Sequence, residues 1–469
     1  MKTQPQKRIH FVSLGCVKNR VDTEVMLGVA QDAGYALSAE ADDANVIVVN
    51  TCGFIGEAKR ESIDTIIELS ELKESGSCEK LIVAGCLSQR YPGEMASEMP
   101  EVDHFLGSSD MLKLGAVLRG EQERMLVGNP ADWIIAANSP RVLSDNSASA
   151  YVKIAEGCNR TCSFCVIPQM RGKQRSRTAD DVVREVESLV SQGIREINLI
   201  SQDTISWGRD LDRSDRIALA ELVKRVADTK GVHWVRLFYL YPETIDEALL
   251  DVIGNHPRVV PYVDMPLQHA SDPMLKLMRR GHGQDRQRKV VARMKEKVPN
   301  LVFRTAFIVG HPGETDVEFE ELCEFVRWAE FDHVGVFRYS DEESCKSFAL
   351  EAKVSTKVAG SRYRKLMTVQ RKIARAKNNA RIGQELEVLV EGPSEEHEFV
   401  MKGRHAGQAP EIDGQVFLSG DEVKPGEFVK VTISQASDYD LVGEVVGRTL
   451  AAPKKRIGLK VLSAREQWQ

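Results

Sequence analysis

The stretch Ala155–Pro168, AEGCNRTCSFCVIP, sets Cys158, Cys162 and Cys165 within eight residues of one another at the end of a β-branched run, Tyr151–Ala155. Three thiols are one short of a closed tetrahedral site. Structural zinc takes four ligands, commonly as two C-x-x-C pairs or with histidines a few residues away, and neither follows within the next 60 residues. Soft thiolates also suit iron–sulfur clusters, and a cluster held by three of them leaves one iron open to a substrate.

Downstream, the β-branched runs continue at Glu196–Ser201, Trp234–Leu240, Pro261–Pro266, Phe303–Gly310 and His333–Tyr339, with amphipathic helical patterns between them. With Tyr151–Ala155 these make six βα units, which predicts a partial TIM-like barrel, open because a closed one has eight. Polar residues just past the strands then face the site: the cysteine loop, Gln202 and Asp203, Gln268 and His269. The preceding segment, Asn138–Ala150, is rich in Ser, Asn and Asp without periodicity and reads as a linker.

Upstream, Lys7–Leu14, Ala44–Thr51 and Lys80–Gly85 alternate with helical patterns, which predicts a doubly wound parallel sheet. Each run ends on a cysteine: Cys16 in VSLGC, Cys52 in VVNTC and Cys86 in IVAGC. Ligands of open α/β sheets bind beyond the carboxyl ends of the strands, so these three residues, separated by 35 and 33 positions, converge on one edge. Buried cysteines do end strands as small hydrophobes, but three on successive strands point to a second three-thiol site. Cys78, Cys323 and Cys345 lack ligand spacing and read as structural thiols.

After the barrel, Lys357–Arg381 is helix-forming and carries Lys357, Arg362, Arg364, Lys365, Arg371, Lys372, Arg375, Lys377 and Arg381 with no acid. Such a run is either the solvated face of a bridging helix or a stripe facing RNA or a partner. From Gly383 the pattern becomes five short strands punctuated by glycine, which predicts a small antiparallel β-barrel of the type that binds nucleic acid or oligosaccharide. Between Gly383 and Thr449, 14 acids face 5 bases, a local charge of −9 that repels phosphate and attracts a basic partner. The chain is thus α/β, with domains at 1–137, 151–382 and 383–450, a linker at 138–150 and a basic tail at 451–469.

The whole chain of 469 residues carries a net charge of −6, with 42% hydrophobic and 28% charged residues, the balance of a soluble globular protein rather than a general nucleic-acid glove. No apolar run approaches the roughly 18 residues of a membrane span, and no apolar leader precedes the first strand, so the expectation is a cytoplasmic protein without a membrane partner. Nine cysteines, an odd number, argue for reduced thiols over a disulfide framework.

The C-x3-C-x2-C loop after the first strand of a partial barrel resembles the radical S-adenosylmethionine (SAM) superfamily. That resemblance implies that Cys158, Cys162 and Cys165 hold a 4Fe–4S cluster whose fourth iron is chelated by SAM. SAM is then cleaved to methionine and a 5′-deoxyadenosyl radical. It further implies that Phe164 packs near the adenine. The superfamily's Gly-Gly-Glu is replaced here by LISQDT, which makes Gln202 the candidate SAM contact, with Ile308 and Gly310 of FIVGHPGET at the end of the adenine-facing strand. Gly310 and Gly313 equally suit a tight turn.

Taken together, a three-cysteine α/β domain, a radical SAM core and a TRAM-type barrel resemble the methylthiotransferases, which insert sulfur into a C–H bond and methylate it. The resemblance implies a second 4Fe–4S cluster on Cys16, Cys52 and Cys86 that carries or delivers sulfur. SLGCVKNRVDTE, VVNTCGFI, IPQMRGKQRSR, YLYPE and APEIDGQVFLSG look like the branch that modifies an aspartate of ribosomal small-subunit protein twelve. Val17 and Arg20 stand where Pro and Leu are commoner, a departure of small expected consequence. The barrel's acidity favours that basic protein over the alternative substrate, an adenosine of tRNA. Arg171, Lys173, Arg175 and Arg177 remain candidates for contact with ribosomal RNA, SAM or the substrate aspartate. A separate electron donor is implied. A non-enzymatic reading, a metal-stabilised module binding RNA or the ribosome, would instead carry zinc.

Overall fold

The computed structural model describes residues 6–453, apart from 122, 146, 244 and 395–399, so the basic tail falls almost wholly outside the described residues. The N-terminal sheet holds β1 (Arg8–Ser13), β2 (Ala36–Leu37), β3 (Val46–Thr51), β4 (Lys80–Gly85), β5 (His104–Leu106) and β6 (Met125–Leu126), all parallel, in the order β2-β1-β3-β4-β5-β6. Every residue of β3 is buried, as expected of a parallel strand covered on both faces. The sequence shows three of these strands; β2, β5 and β6 are two or three residues long, too short for a periodicity to register. Because β1, β3 and β4 are neighbours and the order reverses at β1/β3, their three terminal cysteines share one edge at the switch point.

The central sheet contains β7 (Ser149–Lys153), β10 (Glu196–Ile200), β11 (Trp234–Leu237), β12 (Val259–Asp264), β13 (Val302–Val309) and β14 (His333–Arg338), parallel and in consecutive order. A two-stranded hairpin, β8 (Ala155–Glu156) with β9 (Arg175–Ser176), brackets the cysteine loop. The C-terminal strands β15 (Glu385–Pro393), β16 (Met401–His405), β17 (Val416–Gly420), β18 (Phe428–Ala436) and β19 (Leu441–Leu450) close into a barrel. Its β17–β19 pair is parallel, where the sequence pattern suggests a wholly antiparallel barrel.

The three parts share a core. Phe11 and Val25, Phe238 and Tyr262, and Leu389 and Phe428 belong to one buried cluster that spans both sheets and the barrel. The loop between β16 and β17 meets the amino ends of the central strands: Ala406 O accepts from Arg236 at 2.9 Å, and Gly407 O faces His333 Nε2 at 2.9 Å. Glu196, the first residue of β10, pairs with Arg236 and with Arg404 of the barrel, all three fully buried or nearly so. The barrel therefore closes the amino end of the open sheet and leaves the carboxyl end to the site.

The segment 138–150 is clamped rather than free. Arg141 donates to Glu24 at 3.0 Å and also pairs with Glu185, Ser144 Oγ donates to Glu24 at 2.8 Å, and Ser149 and Ala150 already belong to β7. Arg20 matters more than its expected small consequence: it joins Glu411 of the barrel, Asp145 of the clamped segment and Glu24 of its own helix. Charges at the barrel are likewise used internally. Asp438 faces Arg371 and Arg375 of the helix Thr356–Asn379, Glu387 faces His233, and Asp413 faces Arg304 and His333. The same helix sends Arg362 to Glu314, Lys365 to Glu320 and Lys377 to Asp332, so much of its basic run packs it onto the central domain, while Arg371 and Arg375 reach the barrel. Among the described residues no helix is long and apolar enough to cross a membrane.

Candidate active site

In the N-terminal triad each cysteine follows a strand end. Gly15 (φ +87°) and Gly85 (φ +100°) precede Cys16 and Cys86 in a left-handed conformation. A Cβ on Gly15 would lie 2.6 Å from Cys52 Cβ and 2.9 Å from its Sγ, so glycine here is what lets the Cys16 turn approach Cys52. One carboxamide ties the three turns together: Asn19 Nδ2 donates to Leu14 O and Thr51 O, both at 2.9 Å, and Asn19 Oδ1 lies 3.8 Å from Cys86 Sγ. Burial pushes the Cys52 and Cys86 thiols up, and at Cys52 the neighbouring Cys86 and Cys16 push further. Against this, Arg171 Nε donates to Cys86 Sγ at 3.2 Å.

The loop triad is pinned from the opposite side. Ser163 Oγ donates to Leu277 O at 2.7 Å, Ser163 N to Met278 O at 3.1 Å, and Arg280 Nη1 to Cys162 Sγ at 3.2 Å. The Arg160 N–H donates to Cys158 Sγ at 3.4 Å. Burial raises Cys158 to about 11 and Cys165 further, the latter with contributions from Cys162, Cys158 and Cys345. Cys345, lacking any ligand spacing, packs with Cys86, Val166 and Met170 and so lies between the triads.

A buried charge network joins the two. Arg171 Nη1 donates to Asp22 at 2.7 Å; Lys153 pairs with Asp22 and, at 2.6 Å, with Glu156; Gln202 Nε2 donates to Glu156. Burial alone would raise Glu156, but Lys153 and Arg171 bring it to about 2. Of the basic RGKQRSR segment only Lys173 is exposed: Arg177 is committed to Asp181 and Glu185, and Arg175 to the carbonyls of Pro130 and Trp133. Lys18, 7% exposed, places Nζ 2.9 Å from the centroid of the Tyr239 ring, and burial lowers it to about 8. Asn19, Asp22 and Lys153 carry no chemical signature in sequence; only the likeness of SLGCVKNRVDTE as a whole marks the first two.

Of the sequence-proposed SAM contacts, Gln202 reaches the cysteine loop through Glu156, and Phe164, half-buried, lies in that loop. Gly310 adopts φ +78° and its N–H is taken by Glu314, while a Cβ there would meet Ala359 at 2.5 Å, so it serves the turn against the long helix. The Gln268 backbone is bonded to Ala306 and Ile308 of the neighbouring strand, and the His269 ring meets Glu314.

The donor set fits clusters with a polar cosubstrate. Each triad offers soft sulfur with one guanidinium beside it, and Gln202 Oε1, Asp203 Oδ1, Gln174 Oε1 and Arg160 Nη2 are buried polar atoms without a protein partner near the loop. Among the described residues no group of three Cys, His, Asp or Glu could hold a single metal ion. A four-iron cluster differs in taking one thiolate per iron, at separate corners of a larger body.

Family models match along the chain: uncharacterized protein family UPF0004 over residues 8–107, the radical SAM superfamily over 152–326 and the TRAM domain over 382–446. The chain is 66% identical to the ribosomal protein uS12 methylthiotransferase RimO of Sorangium cellulosum, over 99% of each chain. It is 47% identical to that of Myxococcus xanthus, over 97% of this chain and 95% of the relative. Among solved structures, the radical SAM methyltransferase TsrM from Kitasatospora setae, with cobalamin and a [4Fe-4S] cluster bound, overlays with a TM-score of 0.53 at 15% identity, covering 71% of this chain and 72% of that one; this likeness is of fold. With its three domains matched in order and two thirds of its residues shared along the full length, the chain belongs to the RimO family of radical SAM methylthiotransferases.

Proposed function

We propose that the chain adds a methylthio group to the β-carbon of an aspartate in ribosomal small-subunit protein twelve, uS12. The observation that carries this reading is a pair of cysteine triads, the N-terminal one held by Arg171 from the segment that follows the loop triad, in a chain that matches uS12 methylthiotransferases end to end. Cys158, Cys162 and Cys165 hold one 4Fe–4S cluster, beside which Gln202 and Phe164, with Ile308, contact SAM; Cys16, Cys52 and Cys86 hold the other. When bound, these groups supply a 5′-deoxyadenosyl radical, the sulfur and the methyl group. Arg171 and Arg280 each steady one triad through a ligand sulfur. Buried Asp22, Lys153 and Glu156 form with Arg171 a charge network that fixes the side chains beside the N-terminal triad. Reduction comes from a separate electron donor, and any contact with ribosomal RNA is left to exposed bases such as Lys173, Arg364 and Lys372.

Mass spectrometry of uS12 from cells with and without the gene tests the reading: the aspartate gains the methylthio mass only with it. No difference on uS12, or a methylthio group on tRNA instead, overturns it. Anaerobic analysis of the purified protein is expected to give about eight irons with matching sulfide; zinc would mark a binding module.

A further inference from the structure

We infer that Lys18 is the receptor for the side-chain carboxylate of the substrate aspartate, an assignment that rests on the function proposed above. Lys18 lies in the first turn of the helix Val17–Asp32, whose N-cap, Cys16, makes no side-chain cap and whose first turn holds no acid. That end of a helix favours an anion. A second, independent feature points the same way. Lys18 is 7% exposed, yet among the described residues no carboxylate lies within ion-pair distance of it; its Nζ rests on the face of Tyr239.

The acids around it are all committed elsewhere. Asp22 serves Lys153 and Arg171, and Glu156 serves Lys153 and Gln202. Asp264 is held by Arg304 at 3.0 Å and by the N–H of Tyr239 at 3.0 Å. The other cations of this region, buried Lys153 and Arg171 and half-buried Arg304, each have a carboxylate; among the described residues Lys18 has none. An ammonium removed from water without a counter-charge is unfavourable unless an anion arrives from outside. Tyr239, which supports it, has φ +58°, a left-handed backbone rare for a tyrosine and fixed here by Asp264 and by its carbonyl accepting from Thr204 N.

The chemistry suits the substrate. The carboxyl carbon of an aspartate side chain is bonded directly to the β-carbon, so gripping the carboxylate fixes the carbon that must lose hydrogen and gain sulfur. Lys18 is also only two residues from Cys16, which brings the gripped group to the triad proposed to deliver sulfur.

The competing role is simple charge compensation for a cluster on Cys16, and a substrate-side change separates the two. The reconstituted holoenzyme is titrated anaerobically with a synthetic uS12 peptide carrying the target aspartate, and with the same peptide carrying asparagine there. Wild type is expected to prefer the aspartate peptide about tenfold or more, the scale of a charge-assisted contact. Lys18→Gln should fall to near parity while Lys18→Arg retains most of the preference, with iron and sulfide counted in each preparation. An undiminished preference in Lys18→Gln, or loss of iron with the preference intact, overturns the assignment. So does equal binding of both peptides by wild type that methylthiolates uS12, a result that stands even if Lys18→Gln does not fold. Wild type that neither binds nor modifies either peptide, but modifies tRNA, instead overturns the function on which the assignment rests.

Discussion

The two cysteine triads are assembled by opposite means. Cys158, Cys162 and Cys165 come from one eight-residue stretch and keep their spacing wherever that loop goes, whereas Cys16, Cys52 and Cys86 meet only because β1, β3 and β4 lie side by side. A local triad needs its neighbours chiefly for orientation, as Ser163 and Arg280 provide it. A topological triad needs a folded domain simply to exist, and Asn19, bonded to two of the three turns and facing the third, is where that dependence concentrates. The difference teaches that the loop is suited to starting chemistry and the sheet edge to presenting a group to it.

The largest expected effect divides the triads outright. Cys158→Ala should abolish both 5′-deoxyadenosine and methylthiolated uS12. Cys86→Ala should leave SAM cleavage under dithionite but yield no methylthio product, with iron falling from about eight to about four. Product from Cys86→Ala would collapse the distinction between the two sites.

Next comes Arg171, which reaches the N-terminal triad from six residues past the loop triad. Arg171→Met leaves Asp22 buried with one partner fewer, and breaking such a pair costs about 3–5 kcal/mol. The metal-free protein should show that loss in urea, and the N-terminal iron should fail to load. Lys173→Met, two residues along and exposed, should stay within about 0.5 kcal/mol of wild type. Equal behaviour of the two variants would show that the triads are independent.

How much of this could be read beforehand follows the same division. C-x3-C-x2-C is visible in the sequence because its geometry is local, and the sheet triad is visible because SLGC, VNTC and VAGC each put a cysteine just past a β-branched run. The partners were not. Arg171 reads as one of four bases free to meet RNA, SAM or the substrate aspartate, since its neutralising acid, Asp22, is 149 positions away. The barrel's −9 has the same weakness as an argument about partners: Asp413, Glu411 and Asp438 contribute to it, yet Arg304, Arg20, Arg371 and Arg375 hold them in the domain contacts. A charge count sums residues without knowing which face inward. Substrate preference therefore rests more firmly on the full-length family match than on that sum.

A smaller, one-sided effect is expected at Arg280. Removing its hydrogen bond to Cys162 in Arg280→Leu withdraws a positive group from a ligand sulfur, which disfavours the reduced cluster. The potential of the loop cluster should fall by tens of millivolts, roughly the scale on which one hydrogen bond acts, in an EPR-monitored redox titration. The N-terminal cluster should not move. A shift in both would mean that the triads share one electrostatic environment rather than two.

The smallest effect is expected at Cys345, where the comparison is most exposed to being wrong. It packs against Cys86 and raises Cys165, so by position it could belong to either triad. Its surroundings argue that it belongs to neither: Val166 and Met170 flank it, burial lifts its thiol to about 11, and among the described residues no guanidinium donates to its sulfur as Arg171 and Arg280 do to Cys86 and Cys162. A thiol kept neutral by burial, with Arg90 and Lys59 balanced against Glu342 and Asp341 around it, is a spacer that adds no charge beside the triads. Cys345→Ala should therefore keep its full iron and both EPR signals and lose only about 1 kcal/mol to the small cavity. Loss of iron from one triad would make Cys345 a ligand and show that the two sites are built from a single shared set of sulfurs.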